Sequence, residues 1–454
     1  SLLRITPMKQ DNKSDFDHLS VLIEAGAPEQ LAAIVAELHP SEVALLIESL
    51  PPEKRQIVWN FTNADDEGDV LLELNDEVRT GLLESITAEE VLAATEGMEL
   101  DDLADLVADL PQDITDEVIN ALSIRDRQRL ESVMAWPEDT AGGLMNPDAV
   151  SVQPEVTVDL ALRYLRTLGE LPDNTNSIFV VDTKNRYQGT VLLSKLVTSN
   201  PQNQVKEILD KEAEAIDVSA SEAEVAKIFT GLDMVTAAVV DDAGVLLGQI
   251  TIDDVVDVIQ ELADHDILSR AGLDEDDDMF APVVSSSRRR AVWLGANLAT
   301  GFLAAAVVSV FQPTIEKVVI LAVLMPVVAS MGGIAGSQTL TLMIRGMALG
   351  RVQDSNQRWL LKKELSVAVL NGIIWAAVVA VVTMLFFASW KVGIIIAAAL
   401  AINLLAAALA GFSIPLILRR LNIDPALAGG VVLTTFTDVI GFVAFLGLGM
   451  VFLT

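Results

Sequence analysis

The sequence predicts a multidomain chain: an all-α superhelical domain first, then an α/β pair of similar subdomains, then an α-helical membrane domain with five transmembrane helices. Three observations carry this. Charge is split along the chain, two stretches repeat one another without a gap, and five long apolar runs follow residue 290.

The 454 residues carry a formal net charge of −34, although 51% of them are hydrophobic. After residue 280 there are 12 Lys and Arg against 5 Asp and Glu, so 18 basic and 59 acidic residues precede it. An acidic soluble part is thus joined to a weakly basic membrane part. Such a surface repels nucleic acid and anionic lipid and attracts cations. Cysteine is absent, which excludes disulfides, thiolate metal sites and thiol nucleophiles. His18, His39 and His265 form no ligand pair, and no nucleophile–base pair or phosphate loop is present, so enzymatic activity is not expected. The opening SLLRITPMKQ lacks Met and a secretory apolar stretch, which points to a trimmed native start.

Residues 1–135 form the helical domain. From residue 15 on they read as short amphipathic helices. Leu31, Ile34, Val35 and Leu38 fall at helical spacing, as do Val43, Leu46, Ile47 and Leu50, and again Leu103, Leu106, Val107 and Leu110. The last two sets repeat at an offset of 60, each followed by proline. Stacked helical pairs of this kind bury a continuous core.

Residues 136–258 change character. IFVVDTKNRYQGTVLLSKLV (178–197) and AAVVDDAGVLLGQITIDDVV (237–256) align at an offset of 59, with Val180, Val181, Asp182 and Gly189 on Val239, Val240, Asp241 and Gly248. Each copy reads as strand, polar turn, strand and helix. A preceding element repeats loosely, AVSV (149–152) against AIDV (215–218). The pattern resembles a tandem CBS-domain pair, the regulatory module named after cystathionine β-synthase. Such pairs bind adenine nucleotides through a Ser/Thr-x-x-Asp after the second strand, which implies ATP as a ligand. Thr251 and Asp254 have that spacing in the second copy, whereas the first has Leu192 and Lys195. The structural alternative is a helix N-cap by Thr251.

Residues 259–290 form an acidic connecting helix and linker. Glu261, Asp264 and Asp266 lead into Asp274, Glu275, Asp276, Asp277 and Asp278. A run of like charge repels itself unless solvent or divalent cations neutralise it.

Residues 291–454 form the membrane domain, with apolar runs at about 291–311, 318–344, 365–390, 392–418 and 425–453. Each is long enough to cross the hydrocarbon core as a helix. If the residues before 290 are cytoplasmic, ten Lys and Arg lie in inside loops and two, Lys317 and Lys391, in outside loops. That bias puts the soluble part in the cytoplasm and the C-terminus outside. Asp438 is read as the carboxylate deep in a span. Asp424 opens the last helix near the cytoplasmic mouth, and Glu316 sits in an outer loop. Asp438 is either bonded to Thr434, Thr435 or Thr437, or stands on a cation path. LMPVVASMGGIAGSQTLT (324–341) reads as an interruption of the second helix by Pro326 and three glycines. Irregular backbone at membrane depth is tolerated where it lines an aqueous cavity. Gly332, Gly333, Ser337 and Gln338, with Thr434 and Thr435 of the last span, are therefore the candidate pore lining.

Together with WPEDTAGGLM (136–145), AGLDEDDDMFAP (271–282), MPVVASMGGIAGSQ (325–338) and NIDPALAGGVVLTTFTDVIGF (422–442), this order of domains resembles the MgtE family of bacterial magnesium channels. The resemblance implies Mg²⁺ uptake across the bacterial inner membrane by a homodimer. Its pore would lie on the two-fold axis, with Asp438 of each chain facing the ion, and Asp424 and Glu316 would mark the two mouths. The family reads MGGNAG where this chain has Ile334 in place of the Asn. Cytosolic Mg²⁺ is expected to bridge Asp101, Asp102, Asp217, Asp253, Glu261, Asp264 and Asp266 and so hold a closed state. The alternative is a membrane-anchored CBS sensor of nucleotide or cation without a pore. It leaves Asp438 unexplained. An anion channel would want basic residues in the spans, and the apolar runs contain none.

Overall fold

Prolines and capping side chains cut the N-terminal region into short helices. In this computed structural model the described residues are 28–95, 98–169, 171–172, 174–273 and 277–454. Residues 15–27, with His18, and the linker acids Asp274, Glu275 and Asp276 lie outside them. Nine helices are described: α1 (Pro28–Val35), α2 (Pro40–Glu48), α3 (Pro52–Trp59), α4 (Glu67–Leu72), α5 (Asp76–Leu83), α6 (Ala88–Ala94), α7 (Leu100–Ala108), α8 (Gln112–Ala121) and α9 (Ile124–Val133). Proline opens α1, α2 and α3, where its missing N–H costs nothing. Asn75, Thr87 and Ser123 cap α5, α6 and α9 by accepting from backbone N–H groups of the first turn. Helices α2 and α7 have equal length and start 60 residues apart, as the repeat predicts. Val43, Leu46 and Ile47 of one, and Leu103, Leu106 and Val107 of the other, are buried.

Two three-stranded sheets follow. The first contains β1 (Ser151–Val152), β2 (Ser177–Val181) and β3 (Tyr187–Leu192), with helices α10 (Val158–Leu168), α11 (Leu193–Thr198) and α12 (Val205–Ile208). The second contains β4 (Ile216–Asp217), β5 (Thr236–Val240) and β6 (Leu246–Thr251), with α13 (Glu222–Leu232) and α14 (Ile252–Leu268). Val180 pairs with Gly189 and Val239 with Gly248, so the 59-residue offset reappears as two matching ladders. The leading strands match differently from the sequence alignment. Val152 partners Val180 and Ile216 partners Val239, which shifts AVSV against AIDV by two residues. A two-residue slip leaves every side chain on the same face, so apolar pattern alone does not detect it.

Phe179, Val181, Ala238 and Leu246 pack between the two sheets. On its other face the second sheet shares one core with the helical region, in which Leu103 and Leu106 join Phe229, Ile250 and Val255. The described residues up to 263, with 277–282, make one compact unit; 264–273 with 283–454 make another.

The second unit holds the end of α14, a 3-10 turn at Ser269–Ala271, α15 (Val283–Val310), the short α16 (Gln312–Lys317), α17 (Ile320–Ala348), α18 (Gln357–Phe387), α19 (Trp390–Arg420) and α20 (Pro425–Leu453). Among the described residues five helices, α15 and α17–α20, are long and apolar enough to cross a membrane. The expected break in the second span is not there: α17 is continuous, with Pro326 inside it. Neighbouring helices commonly re-satisfy the backbone group that an intramembrane proline frees, and its glycines serve close packing instead. Helix α19 is the most buried, with α17, α18 and α20 packed on it.

Candidate functional site

The register that buries Leu103, Leu106 and Val107 also places the acids of ELDDLADL. Asp101 and Asp105 stand one turn apart on α7, with Asp102 beside them, close to Asp253 and Asp254 at the start of α14. Asp101 is only 7% exposed, and its Oδ1 has no hydrogen-bond partner. Burial first, then repulsion from Asp102, Asp254 and Glu99, pushes its carboxyl up to about 9. Burial likewise takes Asp102 to about 7, reinforced by Glu99, Asp105 and Asp253. Asp105 also rises to about 7 by burial, opposed by the Arg79 guanidinium. Burial and Asp253 raise Asp257. Each of these carboxyls is thus held above the ordinary carboxylate range.

Asp254 reaches about 7 by burial and by its neighbour Asp253, with Thr251 pulling it back. The Thr251 N–H donates to Asp254 Oδ2 (3.2 Å), and the Thr251 hydroxyl lies against both Asp253 and Asp254. The carboxylate of Asp254 thus reaches back to the Thr251 N–H, the returning half of a capping box at the start of α14. Asn174 Nδ2 donates to Asp253 Oδ2 (2.5 Å). Asp217 stands apart. It is exposed, and hydrogen bonds from Ser219 hold its carboxyl below the usual range. Glu261 and Asp264 are exposed on α14, and Asp266 is half-exposed. Among the described residues no three His, Asp or Glu side chains converge at metal-ligand spacing.

In the second unit, Asp438 is half-buried midway along α20. The three threonine hydroxyls near it donate elsewhere: Thr434 to Gly430 O, Thr435 to Val431 O and Thr437 to Thr434 O. Helices α17 and α20 run antiparallel through a seam of small residues, where Gly336 meets Leu433, Gly429 meets Leu340 and Gly449 meets Leu321. Gly332 is buried in that seam, Gly333 and Thr435 are half-exposed, and Ser337, Gln338 and Thr434 are exposed. Asp424 caps α20, accepting from Ala426 N and Leu427 N, and His265 Nε2 lies 3.4 Å from its Oδ2. Glu316 lies on α16 rather than in a loop, bonded by Gln312 (2.9 Å). The clearest concavity, about 540 Å³, is lined by Phe311, Ile402, Ile440 and Phe452 and contains no acid.

Family models match in the same order as the domains. The MgtE intracellular N domain matches residues 38–139, the CBS domain matches 141–199 and 205–261, and the divalent cation transporter model MgtE matches 325–448. The chain belongs to the MgtE family. Magnesium transporter MgtE of Bacillus subtilis is 25% identical over 95% of this chain and 96% of its own length. The protein of the same name from Thermus thermophilus is 28% identical over 96% and 98%. A crystal structure of the cytosolic domain of the Mg²⁺ channel MgtE in complex with ATP is 30% identical, with a TM-score of 0.48, over 53% of this chain and 98% of its own.

Two polar positions in this MgtE membrane domain escaped the sequence reading. Glu364 is 8% exposed on α18, accepting from Thr339 Oγ1 (3.2 Å) and Lys363 Nζ (2.6 Å). The sequence offered a signal: Glu364, Ala368 and Gly372 recur every four residues, and all three are buried. The apolar run was started one residue too late to include it. Asn403 is fully buried on α19 within the comparable stripe Ala399, Asn403, Ala407, Gly411. Asp105 and Asp257 join the acids of the first unit at one-turn spacing from Asp101 and Asp253.

Proposed function

We propose that this chain is a Mg²⁺ channel or transporter for magnesium uptake. It works as a homodimer in the bacterial inner membrane, with the acidic domains cytoplasmic and the C-terminus outside. The observation that carries the reading is Asp438, a half-buried carboxylate midway along an apolar helix whose nearby hydroxyls donate to backbone carbonyls. A carboxylate at that depth costs roughly 2.5–3.5 kcal/mol on insertion scales, and a passing cation offsets this. Full-length relatives named magnesium transporters support the choice of ion. Mg²⁺ gives up its water reluctantly and is commonly held through one or two carboxylates. A two-fold axis supplies two copies of Asp438. Ser337, Gln338, Thr434 and Thr435 then face the hydrated ion, with Gly333 leaving room for it. Gly332 serves the approach of the helices. Asp424 and Glu316 mark the mouths.

Cytosolic Mg²⁺ closes the path by neutralising the acids of α7 and α14, together with Asp217, Glu261, Asp264 and Asp266. A ligand can shift such an equilibrium only by binding one state better, and acids that repel one another when ionised provide that difference. ATP binds at Thr251 and Asp254 of the second CBS copy, where the carboxylate turns from its cap to the ribose. Calorimetry should show ATP binding that Asp254→Ala removes; no heat with the unsubstituted protein would discard the nucleotide.

Uptake into liposomes carrying a Mg²⁺ dye tests the main reading. Asp438→Ala should fall to background while remaining folded and dimeric. Flux equal to that of the unsubstituted protein in folded Asp438→Ala would overturn it.

A further inference from the structure

Asn403 sits where α17, α19 and α20 meet. It is 0% exposed, its Nδ2 donates to Val328 O of α17 (2.9 Å), and its Oδ1 is buried with no partner. Two glycines form its slot. A Cβ at Gly332 of α17 would stand 2.1 Å from Nδ2, and one at Gly441 of α20 would stand 2.7 Å from it. Gly441 lies three residues beyond Asp438, about 4.5 Å along the helix.

A buried amide with an unmet acceptor costs free energy in an apolar surrounding, whereas Leu fills a similar volume without that cost. Packing alone would therefore favour an apolar side chain here. What the amide adds is direction, since its N–H fixes the rotation of α17 about its own axis at the level of Asp438. We propose that Asn403 is a positioning residue for Asp438, a polar wedge that holds α17 and α20 at one separation and one rotation. This rests on the reading of Asp438 as the ion site, and it adds a residue that touches no ion.

The test uses the full-length protein in liposomes with two variants. Asn403→Leu keeps the volume and removes the donor. In Asn403→Ala/Gly441→Ala the new methyl refills part of the slot without restoring the amide. Each should elute as the unsubstituted protein does yet raise the apparent KM for Mg²⁺ about tenfold, the equivalent of one lost hydrogen bond of about 1.4 kcal/mol, with a smaller change in maximal flux. A second readout is independent of transport. The chain has no cysteine, so spin labels at Leu342→Cys and Leu427→Cys, on α17 and α20, report their separation against a silent background. Both variants should broaden or shift that distance. An unchanged distance with an unchanged KM in either variant would overturn the proposal, and full recovery in the refilled variant would reduce Asn403 to packing and also overturn it. If Asp438→Ala transported normally while the label distance still moved in the Asn403 variants, the ion-site reading would fail and the wedge geometry would stand.

Discussion

In the first unit carboxylates are crowded: Asp101, Asp102 and Asp105 on α7 lie close to Asp253 and Asp254 on α14, with Asp257 one turn further on, and such neighbours raise the cost of ionising one another. In the second unit they are singled out. Glu364 has Thr339 and Lys363 as partners, Asp424 closes a helix end, and Asp438 stands half-buried midway along α20. Crowding makes the charge of each acid conditional on the others, so the group responds together to protons or cations. Isolation makes each acid's task local. A collective response suits a sensor, and a lone carboxylate at membrane depth suits a path.

Removing the crowding should have the largest effect. Asp101→Asn combined with Asp254→Asn should raise the cytosolic Mg²⁺ needed for closure at least about tenfold, a coupling of the usual allosteric size, while Asp438 still conducts. Flux recorded against cytosolic Mg²⁺ measures this, and an unshifted midpoint would break the contrast. Next in size is a paired acid within the crowded unit. Asp278 has its own cation, Arg55, at 2.8 Å, with both side chains more than nine-tenths buried. Arg55→Ala leaves that carboxylate unpaired and should cost about 3 kcal/mol of unfolding free energy, with Asp278→Asn restoring part of the loss. Denaturant titration decides it.

A smaller effect comes with pH. An acid whose folded value is raised stabilises the fold only while it is protonated. That contribution is complete below the ordinary value of 3.8. It is lost as pH climbs through about 7 for Asp102, Asp105 and Asp254, and through about 9 for Asp101. Melting of the first unit should therefore fall between pH 5 and 9 in sodium salt, and Mg²⁺ should restore it most at the alkaline end. A flat profile would mean that the acids are independent. The smallest change is Thr251→Ala, which removes the hydroxyl lying against Asp253 and Asp254 at the start of α14 and should cost about 1 kcal/mol, measurable by the same titration.

Much of this was legible in the sequence, and the rest failed for definite reasons. The offsets of 59 and 60 located matching ladders and matching helices because core spacing repeats with the fold. The leading strands were misaligned by two residues because a slip of that size preserves the buried face. Asp101 and Asp102 could be named from their place at a domain edge and Asp254 from its spacing to Thr251, but Asp105 needed the packing of α7 near α14. Glu364 and Asn403 were missed because charge and hydropathy describe a span's composition. Their role follows from an i, i+4 stripe of small residues, which appears only when the helix is read face by face. The glycines of α17 were mistaken for a break because sequence records helix-breaking tendency and not the neighbours that override it.

If divalent cations take the place of protons on the crowded carboxylates, Mg²⁺ must release those protons. The most direct measurement is proton release from the full-length protein in weakly buffered solution at pH 7, titrated with MgCl₂ and with NaCl matched in ionic strength. Screening acts through the Debye length and is the same for both salts at equal ionic strength, whereas occupation of a site is not. Mg²⁺ should release protons well beyond those released by NaCl, and Asp101→Asn/Asp254→Asn should lose this release. Equal release by the two salts, or none from either, would contradict it.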